Sequence, residues 1–344
     1  MTRPSYVESL AARLMGEEQT TLPESCDSAP FSVVQVTTGD IEEQAASLQK
    51  WDQVYEQLTP GRFVGHLHEI SFRGIQLFRE TTNHSIHEAG LSCPGARAIG
   101  VPVNLAGCAL FRGESLREDS IVTLSGDDEL DFYVPKGFDI LGLSVDERAL
   151  EVYAAQIEDR DVHKVFGARR VLATERTRLD EFRRLLLSAL QSLQLNPGVL
   201  RFHQTQRLLE QSMMGAILAL AGEREEPSAP RAPCPNRRHI VEQAKAYMTR
   251  HLDETITVAD LCVHLGVSRR TLQYSFQELL GINPVRFLRA MRLNQVRRDL
   301  RATKPGALAV GDAAAKSGFW HLGHFVTDYK RMFGELPSQT RCAQ

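Results

Sequence analysis

The sequence has little that would place it in a membrane or outside the cell. Its apolar runs are far shorter than the roughly 20 residues that cross a bilayer as a helix, so we expect no membrane partner. Charged residues enter the N-terminal stretch MTRPSYVESLAARLMGEE too early for a secretory signal peptide. The 6 cysteines include no CxxC pair, which argues against a zinc ribbon and against a secreted disulfide framework. These absences predict a cytoplasmic protein with free thiols.

Signatures of catalysis are missing as well. No GxSxG, HExxH, Walker or GxGxxG motif occurs in the context that its chemistry requires, so we expect no enzyme, no catalytic residue and no cofactor. Two stretches with histidines, HLHE at 66–69 and HSIHE at 84–88, could supply metal ligands from a strand. No further ligand cluster accompanies them. Ordinary strand and turn histidines are the preferred interpretation, and no metal is expected.

Charge is distributed unevenly along the chain. The net charge is −3, yet residues 236–344 hold 17 Lys and Arg against 9 Asp and Glu, a net charge of +8. The first 235 residues hold the remaining 23 basic and 34 acidic residues, a net charge of −11. A basic region carried by an acidic one indicates that the basic region binds a polyanion such as DNA. The acidic part is expected to make no contact with DNA.

Composition and periodicity divide the chain into four segments. We predict a poorly ordered N-terminus at 1–30, a strand-rich sensor or dimerisation domain at 31–222, a proline-rich linker at 223–236 and a helical domain at 237–344. Strands followed by helices favour the α+β fold class.

The strand-rich segment is not purely β. FSVVQVT at 31–37 reads as a first strand, and 40–58 follows the apolar periodicity of one helix capped by Asp40. From Gly61 to about Ile140, alternating residues and regularly spaced glycines predict short strands in a small barrel or sandwich.

A pocket for an effector is a further expectation for these strands. Arg73, Arg79, Glu80 and Asn83 could line a polar pocket, and a solvated strand edge explains the same four residues equally well. The sequence leaves both interpretations open.

After Val145 the apolar period becomes helical. Residues 179–195 and 199–222 read as two helices joined by the turn Asn196-Pro197-Gly198, so they should form an antiparallel hairpin. Its apolar stripe either packs inside its own domain or takes part in a dimer interface. The candidate dimerisation residues are Leu186, Leu190, Leu193, Leu208 and Met213.

Residues 257–281 have the pattern of a helix-turn-helix. Thr257 can cap the first helix, Gly266 can end it with a left-handed turn, and Ser268 can cap the second. The exposed side of that second helix would carry Arg269, Arg270, Gln273, Tyr274 and Gln277. Because Arg pairs with guanine and Gln with adenine in the major groove, this face can read bases.

Residues 310–334 repeat the pattern, with His321 or Leu322 opening the second helix. Leu272 and Phe325, Phe276 and Tyr329, Gly281 and Gly334, and Pro284 and Pro337 are each 53 residues apart. Four matches at one offset indicate two helix-turn-helix units in one domain, and double-stranded DNA as the partner.

The stretch 283–301 reads as one basic helix that joins the two units, with Asn283 as cap and Pro284 at its first position. A helix of about 18 residues is roughly 27 Å long. That length suits two recognition helices in successive major grooves, about 34 Å apart. We expect its arginines to anchor phosphates on the flanks, with some pairing to Asp299 or to neighbouring helix ends.

Three consecutive motifs, GVSRRTLQYSF, NPVRFLRAMRLNQVRRDL and GFWHLGHFVTDYKRMFGELP, resemble the AraC/XylS family of bacterial transcription regulators over about 236–341. The resemblance implies that Arg270, Gln273 and Tyr274 read bases in the first unit. In the second unit it implies base-reading positions at Leu322, Gly323, Val326 and Thr327, with His321 and His324 adjacent. It implies phosphate contacts at Lys330 and Arg331. Thr327 stands where many members have Arg, so weaker base reading by the second unit is expected.

The N-terminal segment LQKWDQVYEQLTPGRFVGHLHEISFRGIQLFRETTN, with FWHLGHF, resembles the subgroup that contains the ethanolamine-operon regulator. Members of such subgroups serve metabolic, quorum-sensing or virulence control. The resemblance implies a dimeric transcription activator, with RNA polymerase and a small-molecule effector as candidate partners. The alternative is a ligand-independent regulator whose N-terminal domain serves dimerisation or protein binding alone.

Overall fold

The computed structural model describes most of the chain, namely residues 30–126, 128–167, 170–221, 235–252, 254, 256–303, 308–319 and 321–342. The expectations for the N-terminus at 1–30 and for the linker at 223–236 fall almost entirely outside these ranges.

Twelve strands in the described residues form two sheets, and every strand pair is antiparallel. The strands are β1 Phe31–Thr38, β2 Asp52–Gln57, β3 Gly65–Phe72, β4 Ile75–Thr82, β5 Ile86–Leu91, β6 Ala96–Asn104, β7 Ala109–Phe111, β8 Glu114–Leu116, β9 Ser120–Leu124, β10 Glu129–Val134, β11 Phe138–Asp146 and β12 Val171–Ala173. The larger sheet has the order β1-β3-β4-β11-β6-β9-β12, and the smaller has β2-β5-β10-β7-β8. Phe111 and Phe132 of the smaller sheet share one core with Ala98 and Val122 of the larger.

The prediction of one helix over 40–58 is wrong for the second half of that range. A short helix, α1, spans Ile41–Ser47 with Asp40 as its cap, and β2 follows at Asp52–Gln57. Lys50 lies between them with a left-handed φ of 67°, which breaks the helical path. In β2 the side chains alternate, so that Tyr55 is buried and Val54 is 46% exposed. Pairing with β5 outweighs the apolar periodicity that favoured a helix.

Four helices cover the outer face of the larger sheet: α2 Glu147–Ile157, α3 Val162–Phe166, α4 Arg176–Leu195 and α5 His203–Ala221. Helices α4 and α5 contact each other across a short 3-10 turn at Pro197–Arg201. The layers follow from the alternation of side chains along each strand. In β6, Ile99 and Val101 contact the helices, while Ala98 faces the other sheet.

The remaining helices follow in the C-terminal part: α6 Pro235–Arg250, α7 Val258–Leu265, α8 Arg269–Leu280, α9 Pro284–Ala302, α10 Val310–Lys316, α11 Leu322–Phe333 and α12 Pro337–Cys342. Their shared core also includes Leu58, Leu110 and Tyr133 of the N-terminal domain, so the two parts pack together. The predicted α+β class is confirmed. No helix in the described ranges is both long and apolar enough to cross a membrane.

Candidate nucleic-acid interface

The first helix-turn-helix unit is built by local capping. The Thr257 hydroxyl accepts a hydrogen bond from the Asp260 amide at 3.3 Å, and the Asp260 carboxylate accepts from the Thr257 amide at 2.7 Å. This capping box satisfies two backbone donors at the start of α7. Gly266 ends α7 with a φ of 62°, and the Ser268 hydroxyl caps α8 by accepting from the Thr271 amide at 3.1 Å.

The outer face of α8 presents the residues that the sequence singles out. Leu272 and Phe276 are fully buried against α7 and α9, which fixes the rotation of the helix. The opposite face is exposed and carries Arg269, Arg270, Gln273, Tyr274 and Gln277. The Arg270 guanidinium lies 5.3 Å from the centroid of the Tyr274 ring, a cation–π distance. These side chains form one polar surface of the size of a recognition face.

The second unit has a similar frame and a less polar face. Phe325 and Tyr329 are fully buried in α11, while an exposed surface carries His321, Leu322, Gly323, His324, Thr327, Lys330 and Arg331. The Thr327 hydroxyl donates to the Gly323 carbonyl at 2.9 Å within its own helix, so its donor is already used. Arg331 pairs with Asp328 at 2.6 Å. Unlike the exposed face of α8, this face also includes two residues without a hydrogen-bonding side chain, Leu322 and Gly323.

Helix α9 joins the two units as one unbroken element of 19 residues. The Asn283 side chain caps it by accepting from the Arg286 amide at 2.9 Å, and Pro284 occupies its first turn. Ten of its side chains are buried, so it contacts neighbours on most of its circumference. A straight helix of this length spans about 28 Å.

The expectation that the arginines of this helix anchor phosphates is wrong for its C-terminal half. Arg297 is buried and donates to Asp40 at 2.6 Å and to Glu42 at 3.3 Å, both at the start of α1. Arg298 donates to Glu56 at 3.0 Å, and Arg301 pairs with the same Asp40 and Glu42. Acidic side chains of the N-terminal domain therefore form ion pairs with these three arginines. We call these six residues the charged contact.

Burial and charge act in opposite directions on the charged contact. Burial raises the pKa of Asp40, but the hydrogen bond and the charge of Arg297 outweigh it and leave that pKa below its usual value. Burial likewise lowers the pKa of Arg297, and the bond and charge of Asp40 and Glu42 more than reverse that effect. Both partners therefore stay charged at neutral pH, and the contact binds two parts of the chain that are 257 residues apart.

Arginines nearer the start of α9 pair within the C-terminal helices. Arg292 donates to the carbonyls of Glu254 and Ile256, both at 3.1 Å, just before α7 begins. Arg289 pairs with Asp328 of α11. These pairs agree with the expectation that some arginines pair with neighbouring helix ends. The expected pairing of an arginine with Asp299 is not seen in the described part of the chain, because Asp299 accepts a hydrogen bond from Gln295 and pairs with Lys316.

A second group of contacts ties β10 and β5 to α6. Lys245 lies 3.1 Å from both carboxylate oxygens of Asp131 and 3.9 Å from the centroid of the Tyr133 ring. His87 stacks on Tyr133 with centroids 4.1 Å apart and contacts Asp131 at 2.9 Å. Burial raises the pKa of Asp131, but the bonds and charges of His87 and Lys245 dominate and lower it to about 2. This carboxylate therefore stays ionised across the physiological range.

Hydrogen bonds to the backbone complete the contact between the two parts. The Asn294 side-chain Nδ2 donates to the Gln57 backbone carbonyl at 2.9 Å, and the Asn294 Oδ1 accepts from the Gln57 backbone N–H at 3.1 Å. The Gln57 side chain donates to the Met332 carbonyl at 2.7 Å. Strand β2 therefore holds both the joining helix and the end of α11. No sequence pattern predicted Asn294 or Gln57 as contact residues, although an Asn inside an apolar helix face was an available signal.

The candidate dimerisation residues divide into two groups. Leu186, Leu190, Leu193 and Met213 are buried in the core beneath the larger sheet, which corresponds to packing inside their own domain. Leu208 is 67% exposed on α5. A share of these residues in a dimer interface stays a prediction.

Among the histidines considered as metal ligands, His66 contacts the Thr37 hydroxyl at 2.9 Å and His84 contacts the Thr59 hydroxyl at 3.1 Å. Within the described residues, no group of three His, Cys, Asp or Glu side chains is arranged to hold a metal ion.

Residues 261–343 match a family model described as a helix-turn-helix domain. The probable thc operon regulatory protein of Rhodococcus erythropolis is 34% identical over 206 residues, which are 58% of this chain and 60% of that protein. The XylDLEGF operon transcriptional activator 3 of Pseudomonas putida is 29% identical over 107 residues, 31% of each chain. A solved structure of a probable AraC family transcriptional regulator from Rhodopseudomonas palustris is 33% identical and covers 30% of this chain and 95% of its own, with a TM-score of 0.28. The chain thus spans 60% or less of the length of these two curated relatives.

The paired units and these similarities define the C-terminal helices as a helix-turn-helix domain of the AraC type. Over this domain, the chain is similar to DNA-binding transcription regulators of the AraC family. The finer resemblance to the ethanolamine-operon regulator subgroup stays a prediction.

Proposed function

We propose that the chain is a sequence-specific regulator of transcription that reads two successive major grooves with the two helix-turn-helix units of one chain. The first unit reads bases through Arg270, Gln273 and Tyr274. The second contributes fewer base contacts through Leu322 and Thr327, while Lys330 and Arg331 bind phosphates. No catalytic step belongs to this function.

One observation carries the proposal. In both units the helix that would enter the groove buries its apolar side on α9 and leaves its opposite side exposed. Because one rigid helix supports both units, their separation is fixed before DNA is met. A pre-formed pair of readers loses little conformational entropy on binding.

The direct test is binding of the full chain to a DNA site selected from a random pool. Fluorescence anisotropy at one fixed salt concentration compares this site with a scrambled site of equal length, because phosphate contacts make affinity depend on salt. The proposal expects the selected site to bind at least about 10³-fold more tightly. Equal binding of the two sites would contradict it.

We further propose that the N-terminal domain controls this binding in response to a small-molecule effector. The charged contact, Gln57 and Lys245 support this view, since they link the sheets directly to the helices that carry the readers. The alternative is a ligand-independent regulator whose N-terminal domain serves dimerisation or protein binding alone. Thermal unfolding of the full chain against a panel of metabolites distinguishes the two, because a ligand that binds only the folded state raises Tm.

The remaining parts of the proposal concern assembly and setting. We expect a homodimer, with the exposed Leu208, Phe202 and Leu195 contributing to its apolar contact surface. RNA polymerase is a candidate partner for activation in the cytoplasm, with metabolic, quorum-sensing or virulence genes as candidate targets. Sedimentation of the full chain measures the dimer, and a monomer at all micromolar concentrations would contradict it.

A further inference from the structure

A cavity of about 50 Å³ lies between the two sheets of the N-terminal domain. Aliphatic residues and five aromatic side chains line it, the aromatic ones being Trp51, Tyr55, Phe78, Phe111 and Phe132. Glu80 of β4 and Glu88 of β5 also line it, and no Lys, Arg or His stands among the lining residues. Of the four residues that the sequence offered for a pocket, only Glu80 reaches this cavity.

The two carboxylates differ in how they are satisfied. Glu80 is 5% exposed and accepts hydrogen bonds from the Gln44 side chain at 2.7 Å and from the Tyr55 hydroxyl at 3.0 Å. Glu88 is 8% exposed, and burial and the charge of Glu80, with no hydrogen bond among the causes, set its pKa. An acid that is more than nine-tenths buried and lines a cavity is costly to ionise unless something else binds it.

Burial changes the protonation of both groups. Desolvation raises the pKa of Glu80 to about 7, even though Gln44 and Tyr55 favour its charged form. Desolvation and the nearby charge of Glu80 also raise the pKa of Glu88. Both shifts favour the protonated, neutral form of these acids. A positive charge inside the cavity would reverse that preference.

We propose that this cavity binds a small organic cation, an amine or quaternary ammonium of about five heavy atoms, between Glu88, Glu80 and the aromatic walls. The size follows from the volume, since one water already needs at least about 10 Å³ of such space. Ring faces attract cations. Two carboxylates also attract a cation, whereas they would repel an anion and gain no charge pairing from a neutral molecule. This inference rests on the proposed effector control and names its ligand class.

The cavity is connected to the charged contact by two elements. Gln44 lies on α1, whose first residues bind Arg297 and Arg301 of the joining helix. Tyr55 lies on β2, whose next two residues, Glu56 and Gln57, bind Arg298 and Asn294. A cation that draws Glu80 away from Gln44 or Tyr55 would therefore act on the two elements that hold α9. Occupancy of the cavity can reach the DNA readers by this short route.

The test uses tetramethylammonium as the cation and tert-butanol as a neutral molecule of the same shape, with sodium chloride matching ionic strength. Near saturation the cation should raise the Tm of the full chain by about 3 °C or more, and tert-butanol should not. Titration calorimetry then gives the affinity of each probe.

Two variants make the test specific. Glu88→Gln removes one charge at nearly constant volume and should weaken cation binding at least about tenfold. The control is Glu129→Gln, an exposed carboxylate on β10 outside the cavity, which should leave binding unchanged. Equal binding of tert-butanol and cation, no binding of the cation, or full binding by Glu88→Gln would each overturn the proposal.

The anisotropy assay separates this inference from the proposed effector control. Cation binding that also changes DNA affinity supports both. Cation binding that Glu88→Gln abolishes, with DNA affinity constant, supports the site and contradicts effector control through it.

Discussion

Arg270 is the residue at which base reading can be separated from phosphate binding. Its guanidinium is exposed, lies over the Tyr274 ring and has the two parallel donors that match a guanine edge. Arg270→Ala should weaken binding to the selected site by about 1–3 kcal/mol and relax preference at one base pair. Anisotropy with sites that vary at single positions measures both effects.

Lys330→Ala is the matched control for that change. Lys330 is exposed near the end of α11, where its charge would meet phosphate oxygens. We expect uniform weakening on every sequence and a flatter dependence of affinity on salt. If Arg270→Ala weakened all sequences equally, its role in base reading would be refuted.

Glu80 makes a pH prediction whose sign follows from burial. Its pKa rises from 4.5 to about 7 on folding, so its contribution to stability is present at low pH and is lost as pH rises through 7. Tyr55 of β2 and Glu88 of β5 are the titratable groups that line the cavity beside it. Glu80→Gln, which keeps one acceptor oxygen for Gln44 and Tyr55, should gain stability relative to the wild type as pH rises from 5 to 8. Urea unfolding measures the free energy of unfolding of both proteins, and a variant that loses stability relative to the wild type toward pH 8 would contradict the assignment.

Residues set by local sequence were the most predictable. The caps at Thr257, Ser268 and Asn283 and the turn at Gly266 need only neighbours within a few positions, and all four have the conformation expected. The charged contact was not predictable in this way, because Asp40 and Arg297 meet only through tertiary packing. The opposite charges of the two parts favoured attraction but did not specify which residues would pair.

At the scale of elements, α9 determines how far apart the two readers stand. Met291 lies in its buried middle, where proline would remove a backbone hydrogen bond and clash with the preceding turn at a cost of about 3 kcal/mol. Met291→Pro should abolish specific binding to the full site. Met291→Leu, which nearly conserves volume, should bind normally.

Circular dichroism and anisotropy test this element together. The DNA binding of the proline variant is compared with that of the wild type only if circular dichroism shows that the variant keeps most of its helical signal. Specific binding to the full site by a folded Met291→Pro protein would show that rigidity of α9 is not required.

Strand pairing explains the main wrong prediction at the scale of elements, the helix expected over 40–58. Val54 and Tyr55 belong to apolar residues at helical spacing between Ile41 and Leu58, yet residues 52–57 form β2, since β5 offers a complete set of backbone partners. Tertiary context outweighed local propensity there. That change matters for function, because β2 brings Tyr55 to the cavity and Gln57 to the C-terminal helices.

At the scale of the whole molecule, the acidic domain holds the basic domain through the charged contact. Asp40→Asn keeps a residue that caps α1 well but removes the charge that faces Arg297 and Arg301. Because a buried cation then loses its main partner, we expect the free energy of unfolding to fall by about 3 kcal/mol. Urea unfolding of the full chain provides the value.

Asp161→Asn is the matched control for the charged contact. Asp161 also caps a helix, α3, but it lies outside the contact with the C-terminal helices, and its own ion pair with Lys164 is exposed. Its substitution should change stability by less than about 1 kcal/mol. Similar losses in the two variants would mean that Asp40 acts only as a cap.

The most direct test of two readers on one chain is a hydroxyl-radical footprint on a selected site with wild type and Arg270→Ala. One bound chain should protect two patches of the backbone on the same face of the DNA, about one helical turn apart, and Arg270→Ala should weaken protection in one patch only. A single protected patch per chain, or equal loss across both patches, would contradict the account.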